Sequence, residues 1–150
     1  NMISYMSRKL PQHSVLVTNY LKTYLPKDWI LKDINQMSEN NTYNILKKSK
    51  IFLAFSYLEG LPLPPAEAAL AKNYVIGYTG EGGNEYWKKP IFTKINTGEI
   101  KNFVNSINSK IKLLNKNFNF PNKQYIKLKK KFSKETEIKN LIKFLKFIPK

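Results

Sequence analysis

Two patterns of apolar residues follow one another along the chain: short unbroken runs, and longer segments in which apolar residues recur every three or four positions. Five short runs predict strands: Met2–Met6, Trp29–Ile34, Ile51–Phe55, Val75–Ile76 and Ile91–Ile95. The unbroken run Ile51–Phe55 is typical of a strand that is buried on both faces, as the strands of a parallel sheet are.

Periodic segments between these runs predict helices over His13–Leu25, Ser38 to about Lys48, Pro64–Ala71, a segment capped by Asn96 or Thr97 that reaches Leu114, and two more after residue 121. Strands that alternate with helices indicate an α/β domain. Right-handed crossovers then place helices on both faces. We therefore expect a Rossmann-like parallel sheet of about five strands over residues 1–120, followed by a C-terminal helical extension over residues 121–150.

The stretch 51–86 contains the most informative residues. Its first strand ends in a predicted polar turn over Ser56–Gly60, and Pro64 with Pro65 then suits the first turn of a helix, where no N–H partner is needed. Ligands of open parallel sheets bind beyond the carboxyl ends of the strands. Glu59 in the turn and Glu67, expected in the first helical turn, are therefore predicted to lie at that edge.

Two further sets of residues are expected at the same edge. Arg8 and Lys9 follow the first strand directly, and an arginine fork with a lysine charge suits phosphate oxygens, although a solvated basic turn would also explain them. Gly80, Gly82 and Gly83 follow the strand around Val75. Glycines there either let backbone N–H groups approach a phosphate or form a plain turn.

Composition narrows the class of protein. The net charge is +16, which reflects either lysine-rich codon usage or an anionic partner such as a nucleotide, nucleic acid or anionic membrane surface. The chain has no cysteine, which excludes disulfides and thiolate metal sites and suits a cytosolic protein. No apolar run approaches the roughly 20 residues of a membrane span, and no secretory signal is visible.

Several chemistries lack their residues. There is no Walker A motif and no G-x-G-x-x-G after the first strand. His13, the single histidine, is expected to be a surface residue of a first helical turn. Asp28 and Asp33 are the only aspartates and form no Asp-x-Asp pair for a divalent metal. We therefore expect no metal site, and any bound diphosphate would be neutralised by cations and backbone amides.

The segment FSYLEGLPLPPAEAALAKNYVIGYTGEGGNEY, residues 55–86, resembles the glutamate loop, helix and glycine loop of the retaining GT-B glycosyltransferases called the glycosyl transferases group 1 family. Glu59 and Glu67 keep that family's E-x7-E spacing, and Arg8 with Lys9 is similar to its diphosphate-binding basic pair. The likeness is specific over about residues 49–86, weaker over 1–48 and loose beyond 98.

The resemblance implies a role for each matching residue. Glu59 would be the catalytic-site glutamate that contacts the donor sugar, and Glu67 would bind the ribose hydroxyls. Backbone groups of Gly60–Leu61 would line the sugar and phosphate, and Gly82–Gly83 would form a second phosphate-side loop. The implied donor-binding set is Arg8, Lys9, Glu59, Gly60, Leu61, Glu67, Gly82 and Gly83, with no metal. The substrate would be a nucleotide-sugar such as a UDP- or GDP-sugar, without a further cofactor.

The chain also departs from the family. Leu61 and Pro62 replace the last two residues of the frequent E-G-F-G, and Pro62 has no N–H to donate. One strand–helix unit common before the E-x7-E segment is missing. The chain resembles only the second, donor-binding half of a two-domain enzyme, so we expect an excised or truncated form that lacks the N-terminal acceptor-binding domain and is inactive alone.

Two alternatives stay open at this stage. One is a basic, non-enzymatic nucleic-acid-binding domain, which is less favoured because the charges are dispersed and no nucleic-acid motif is present. The other is half of a GT-B-type epimerase or phosphorylase. The stripe Ile138, Leu141, Ile142, Leu145 and Ile148, with its flanking lysines, would pack normally, contact the missing domain or contact an anionic membrane. The expected location is the cytoplasm, with peripheral attachment to the inner membrane face as a variant.

Overall fold

The computed structural model describes residues 1–117 and 119–147, so Ile148 of the predicted stripe lies outside the described residues. Five strands are present: β1 Met2–Tyr5, β2 Ile30–Asp33, β3 Ile51–Glu59, β4 Tyr74–Glu81 and β5 Phe92–Lys94. Six α-helices are described: α1 Pro11–Tyr24, α2 Glu39–Lys48, α3 Leu63–Leu70, α4 Ile100–Lys116, α5 Asn122–Lys131 and α6 Lys134–Leu145. One turn of 3-10 helix follows β4 over Gly82–Glu85.

All strand pairs of the sheet are parallel, in the order β2-β1-β3-β4-β5. Helix α1 contacts α4, whereas α2 contacts β1, and α3 contacts β3, β4 and α5. The predicted α/β fold, a five-stranded parallel sheet with helices and additional C-terminal helices, is confirmed.

Strand β3 lies at the centre of the core, as its unbroken apolar run predicted. All six residues from Ile51 to Ser56 are buried, and Ile51 and Leu53 are completely inaccessible to solvent. Aromatic rings in the core pack edge to face, for example Tyr78 of β4 against Phe103 of α4 at 5.3 Å between ring centroids. Such pairs contribute about 0.5–1.5 kcal/mol beyond the area that they bury.

The predicted turn at Ser56–Gly60 was wrong in its placement. Strand β3 continues to Glu59, because Ser56 still pairs with Thr79 and, after a register shift, Glu59 pairs with Glu81. Leu58 lies within that irregularity with a positive φ of 39°. The polar residues that suggested a turn therefore form a bulged strand end, and the bulge brings Glu59 back into the pairing with β4.

Several helix boundaries also differ from prediction. Helix α1 begins at Pro11 rather than His13, because proline is tolerated at the first helical position. Helix α3 ends at Leu70, one residue before the predicted end. Neither Asn96 nor Thr97 caps α4. The N-cap is Glu99. Its carboxylate accepts hydrogen bonds from the Asn102 and Asn96 side chains at 2.9 Å each, and these bonds lower the pKa of Glu99.

One strand boundary differs as well. Strand β4 runs to Glu81, through Gly80, which was expected to start a loop.

Candidate functional site

The strand order contains one topological switch point, between β1 and β3. The chain moves from β1 outward to β2 on one side and from β3 outward to β4 and β5 on the other. In doubly wound sheets the crevice at such a reversal, beyond the carboxyl ends of the strands, is where ligands bind. The segment that follows β1 and the end of β3 meet at this point.

Arg8, Lys9 and Glu59 line the same cleft at the switch point, as predicted. The Lys9 Nζ lies 3.4 Å from the Glu59 Oε2. The Lys9 side chain is 46% exposed, whereas that of Glu59 is 17% exposed. Arg8 is exposed and makes no ion pair with any residue in the part of the chain that the structure describes. One cation therefore neutralises the carboxylate and a second cation remains for an anion.

The cleft is nearly closed in this conformation. Its volume is about 20 Å³, close to the space that a single water molecule needs. Pro64 and Pro65 of α3 form one of its walls, and the Lys9–Glu59 pair lies among the residues that line it. A nucleotide would therefore require this half-exposed, flexible lysine to move away from the carboxylate.

Hydrogen bonds hold the segment that carries the two cations. The Ser7 hydroxyl donates to the Asp33 Oδ2 at 2.7 Å, which joins the end of β1 to the end of β2. Asp33, one of the two aspartates, therefore has a structural partner. Burial raises the pKa of neighbouring Tyr5, and the Asp33 charge raises it further.

Tyr86, which the sequence reasoning did not select, lies within reach of the Glu59 charge. Tyr86 is only 3% exposed and its hydroxyl donates to the Pro62 carbonyl. Burial, together with the charge of Glu59, raises the pKa of Tyr86 to about 12. Pro62 lacks an N–H, but its carbonyl is used to fix the loop between β3 and α3. No periodic or motif signal in the sequence pointed to this bond.

The loop that follows Glu59 contacts the segment Gly82–Glu85 that follows β4. A Cβ added to Gly82 would lie 1.7 Å from the Gly60 carbonyl oxygen, so only glycine fits at position 82. Gly83 is buried, and a Cβ there would lie 2.9 Å from the Trp87 Nε1. By contrast, nothing lies within 4 Å of a Cβ added to Gly60. Packing against the Gly60 carbonyl therefore explains the glycine at 82, and packing against the Trp87 ring explains the glycine at 83, independently of any phosphate.

Glu67 and Leu61 do not share the cleft. Glu67 is the fifth residue of α3, in its second turn, because the helix starts at Leu63, one residue before the two prolines. The prediction that Glu67 lies in the first turn was therefore wrong. Its side chain is exposed and forms no ion pair with the described residues. Leu61, in the loop between β3 and α3, is 47% exposed.

His13 is more than a surface residue. It does lie in the first turn of α1, as predicted, but it is partly buried, and its Nδ1 lies 3.1 Å from the Tyr78 hydroxyl. The two rings also pack edge to face, with 5.6 Å between their centroids. This contact spans 65 positions of sequence, so local periodicity could not reveal it.

Within residues 1–117 and 119–147, no three histidine, aspartate or glutamate side chains come together in a way that could hold a metal ion. Over the same residues, no helix is both long and apolar enough to cross a membrane. Comparison with protein-family models, curated proteins and solved structures finds no match for this chain.

Proposed function

We propose that this domain is the donor-binding half of a retaining, metal-independent glycosyltransferase that uses a nucleotide-sugar. The observation that carries the proposal is the placement of Arg8, Lys9 and Glu59 in one cleft at the β1/β3 switch point. Two cations and one carboxylate suit a diphosphate joined to a sugar, since the cations bind phosphate oxygens and the carboxylate accepts from sugar hydroxyls.

The proposed chemistry is sugar transfer with departure of the nucleoside diphosphate. Arg8 and Lys9 would stabilise the negative charge that develops on the leaving diphosphate, and such preorganised charges are usually the largest single contribution to catalysis. Lys9 would exchange Glu59 for a phosphate oxygen when the donor enters. Glu59 would then be free to contact the sugar, and the exposed Glu67 would take the ribose hydroxyls that the family resemblance assigns to it.

Transfer itself would need a second wall. Positioning of acceptor and donor requires groups on both sides of the reacting atoms. We propose that an acceptor-binding domain supplies them and that α6 contributes to the contact, because none of its residues is buried. Ile138, Leu141, Ile142 and Leu145 of its stripe are each about half exposed. Co-sedimentation with anionic but not neutral vesicles would assign this stripe to a membrane surface instead.

The test is calorimetry of the chain with UDP, GDP and ADP, each with and without EDTA. We expect saturable binding of at least one nucleoside diphosphate, unchanged by EDTA, and loss of most of that affinity in Arg8→Gln/Lys9→Gln. The matched control is Lys112→Gln/Lys116→Gln, which removes the same charge from exposed positions of α4. No binding, or equal losses in both double variants, would contradict the proposal.

A further inference from the structure

A second candidate site is a groove at the side of the sheet where β4 connects to β5. It has a volume of about 790 Å³ and lies between the β4–β5 connection and α5. It shares no lining residue with the cleft at the switch point. Five lysines line it: Lys88, Lys89, Lys123, Lys127 and Lys131. Among the described residues along its walls, only Glu85 is acidic.

The spacing of the lysines along α5 concentrates positive charge in this groove. Lys123, Lys127 and Lys131 are spaced four residues apart, so they form a ladder on one helix face with steps of about 6 Å. Like charges at this spacing destabilise a helix by about 0.2–0.5 kcal/mol per pair, and α5 has no acidic residue to offset them. Lys88 and Lys89 add two further positive charges on the opposite wall.

The two walls are fixed to each other. The Gln124 Oε1 accepts from the Ile91 N–H at 2.9 Å, and the Gln124 Nε2 donates to the Lys88 carbonyl. The Phe132 ring packs edge to face on Tyr86, with 5.3 Å between centroids. Since the groove is already formed, a ligand would bind without the cost of ordering it.

Among the described residues that line the groove, there is charge without an exposed aromatic ring. Of these residues, Tyr86 and Phe120 are aromatic and only 3% and 7% exposed, so neither presents a face to a ligand. Proteins that bind single-stranded nucleic acid combine basic grooves with exposed aromatic rings on which bases stack. Lysine also provides point charges rather than the bidentate fork of arginine. These features favour a ligand that is recognised by repeated charge alone.

We propose that the groove between the β4–β5 connection and α5 binds a linear chain of repeated phosphates that carries no bases, such as polyphosphate. The α5 lysines would neutralise successive charges along it, and Lys88 with Lys89 would do so from the opposite wall. Lys131, whose Nζ lies 3.6 Å from the Glu85 Oε2, would exchange that exposed carboxylate for a phosphate. This site does not depend on the donor cleft or on its proposed function.

The test is fluorescence anisotropy with labelled inorganic polyphosphate over a series of salt concentrations. The groove variant Lys123→Gln/Lys127→Gln/Lys131→Gln should bind at least tenfold more weakly, and the slope of log affinity against log salt should fall by about 2–3. The control Lys101→Gln/Lys112→Gln/Lys116→Gln removes three exposed charges from α4 and should bind within threefold of the parent. Thermal unfolding should show that both variants remain folded, because the six positions are exposed.

Equal weakening in the groove and control variants would overturn the proposal, since it would reduce the effect to net charge. Oligothymidylate with the same number of phosphates serves as the second probe. We expect it to bind no more tightly than polyphosphate. Tighter binding of oligothymidylate that depends on the groove lysines would assign the groove to nucleic acid and also overturn the proposal.

Discussion

From the Lys9–Glu59 ion pair we predict that removal of a binding-site carboxylate increases the affinity for one of the ligands. Glu59→Gln should increase the affinity for a free nucleoside diphosphate, because the carboxylate competes with phosphate for Lys9 at 3.4 Å. The Lys9 side chain is 46% exposed, so the pair is closer to a surface ion pair, worth about 0.2–1 kcal/mol, than to a buried one. The dissociation constant should therefore fall by up to about fivefold.

The same substitution should have the opposite effect on the intact nucleotide-sugar. If Glu59 accepts from a sugar hydroxyl, glutamine keeps an acceptor oxygen but loses the charge, and the weaker hydrogen bond costs roughly 1–1.5 kcal/mol, which exceeds the gain at Lys9. Calorimetry of Glu59→Gln with both ligands measures the two effects directly. Glu67→Gln is the matched control, because Glu67 is exposed and outside the cleft; if it binds ribose, it should weaken both ligands equally. Equal losses on both ligands in Glu59→Gln would refute the reasoning.

Two further predictions concern the loops around the glutamate. Gly82→Ala should destabilise the fold by about 1–3 kcal/mol because of the clash at 1.7 Å, whereas Gly60→Ala, with open space, should leave the unfolding midpoint nearly unchanged; similar midpoints for both would contradict the loop contact. The free energy of unfolding should fall by about 2–3 kcal/mol as pH rises from 10 towards 12, because Tyr86, with its pKa of about 12, keeps its proton in the native state after the unfolded state has lost it. Denaturant unfolding across this range should show a decline that is smaller by about 2 kcal/mol in Tyr86→Phe than in Tyr57→Phe, an exposed control, while Tyr5, whose pKa is also raised, lowers stability in both variants.

The fold was largely predictable because its signals are local. An unbroken apolar run identified β3, and periodic apolar residues identified α4, whose Phe103, Ile107 and Ile111 are all buried. Helix α2 begins after the predicted Ser38, whose hydroxyl accepts from the Asn41 N–H at 3.4 Å. Each of these features depends on residues within a few positions of one another.

The features of the site that sequence reasoning missed are set by long-range pairing. The strand extension to Glu59 depends on Glu81 of β4, which no local pattern around the predicted turn could reveal. Tyr86 reaches the Pro62 carbonyl across 24 positions, and the closeness of position 82 to Gly60 depends on how the two loops are packed. The strand-end rule placed Arg8 and Lys9 beside Glu59, but it could not show that Lys9 pairs with it.

The most direct test of the donor-site assignment is a map of backbone amide chemical shifts on addition of a nucleoside diphosphate that binds. We expect saturable changes to cluster at residues 6–9 and 59–61, at the carboxyl ends of β1 and β3, and to remain in the presence of EDTA. Changes centred instead on the groove lysines Lys123, Lys127 and Lys131, or no saturable change at the switch point, would contradict it.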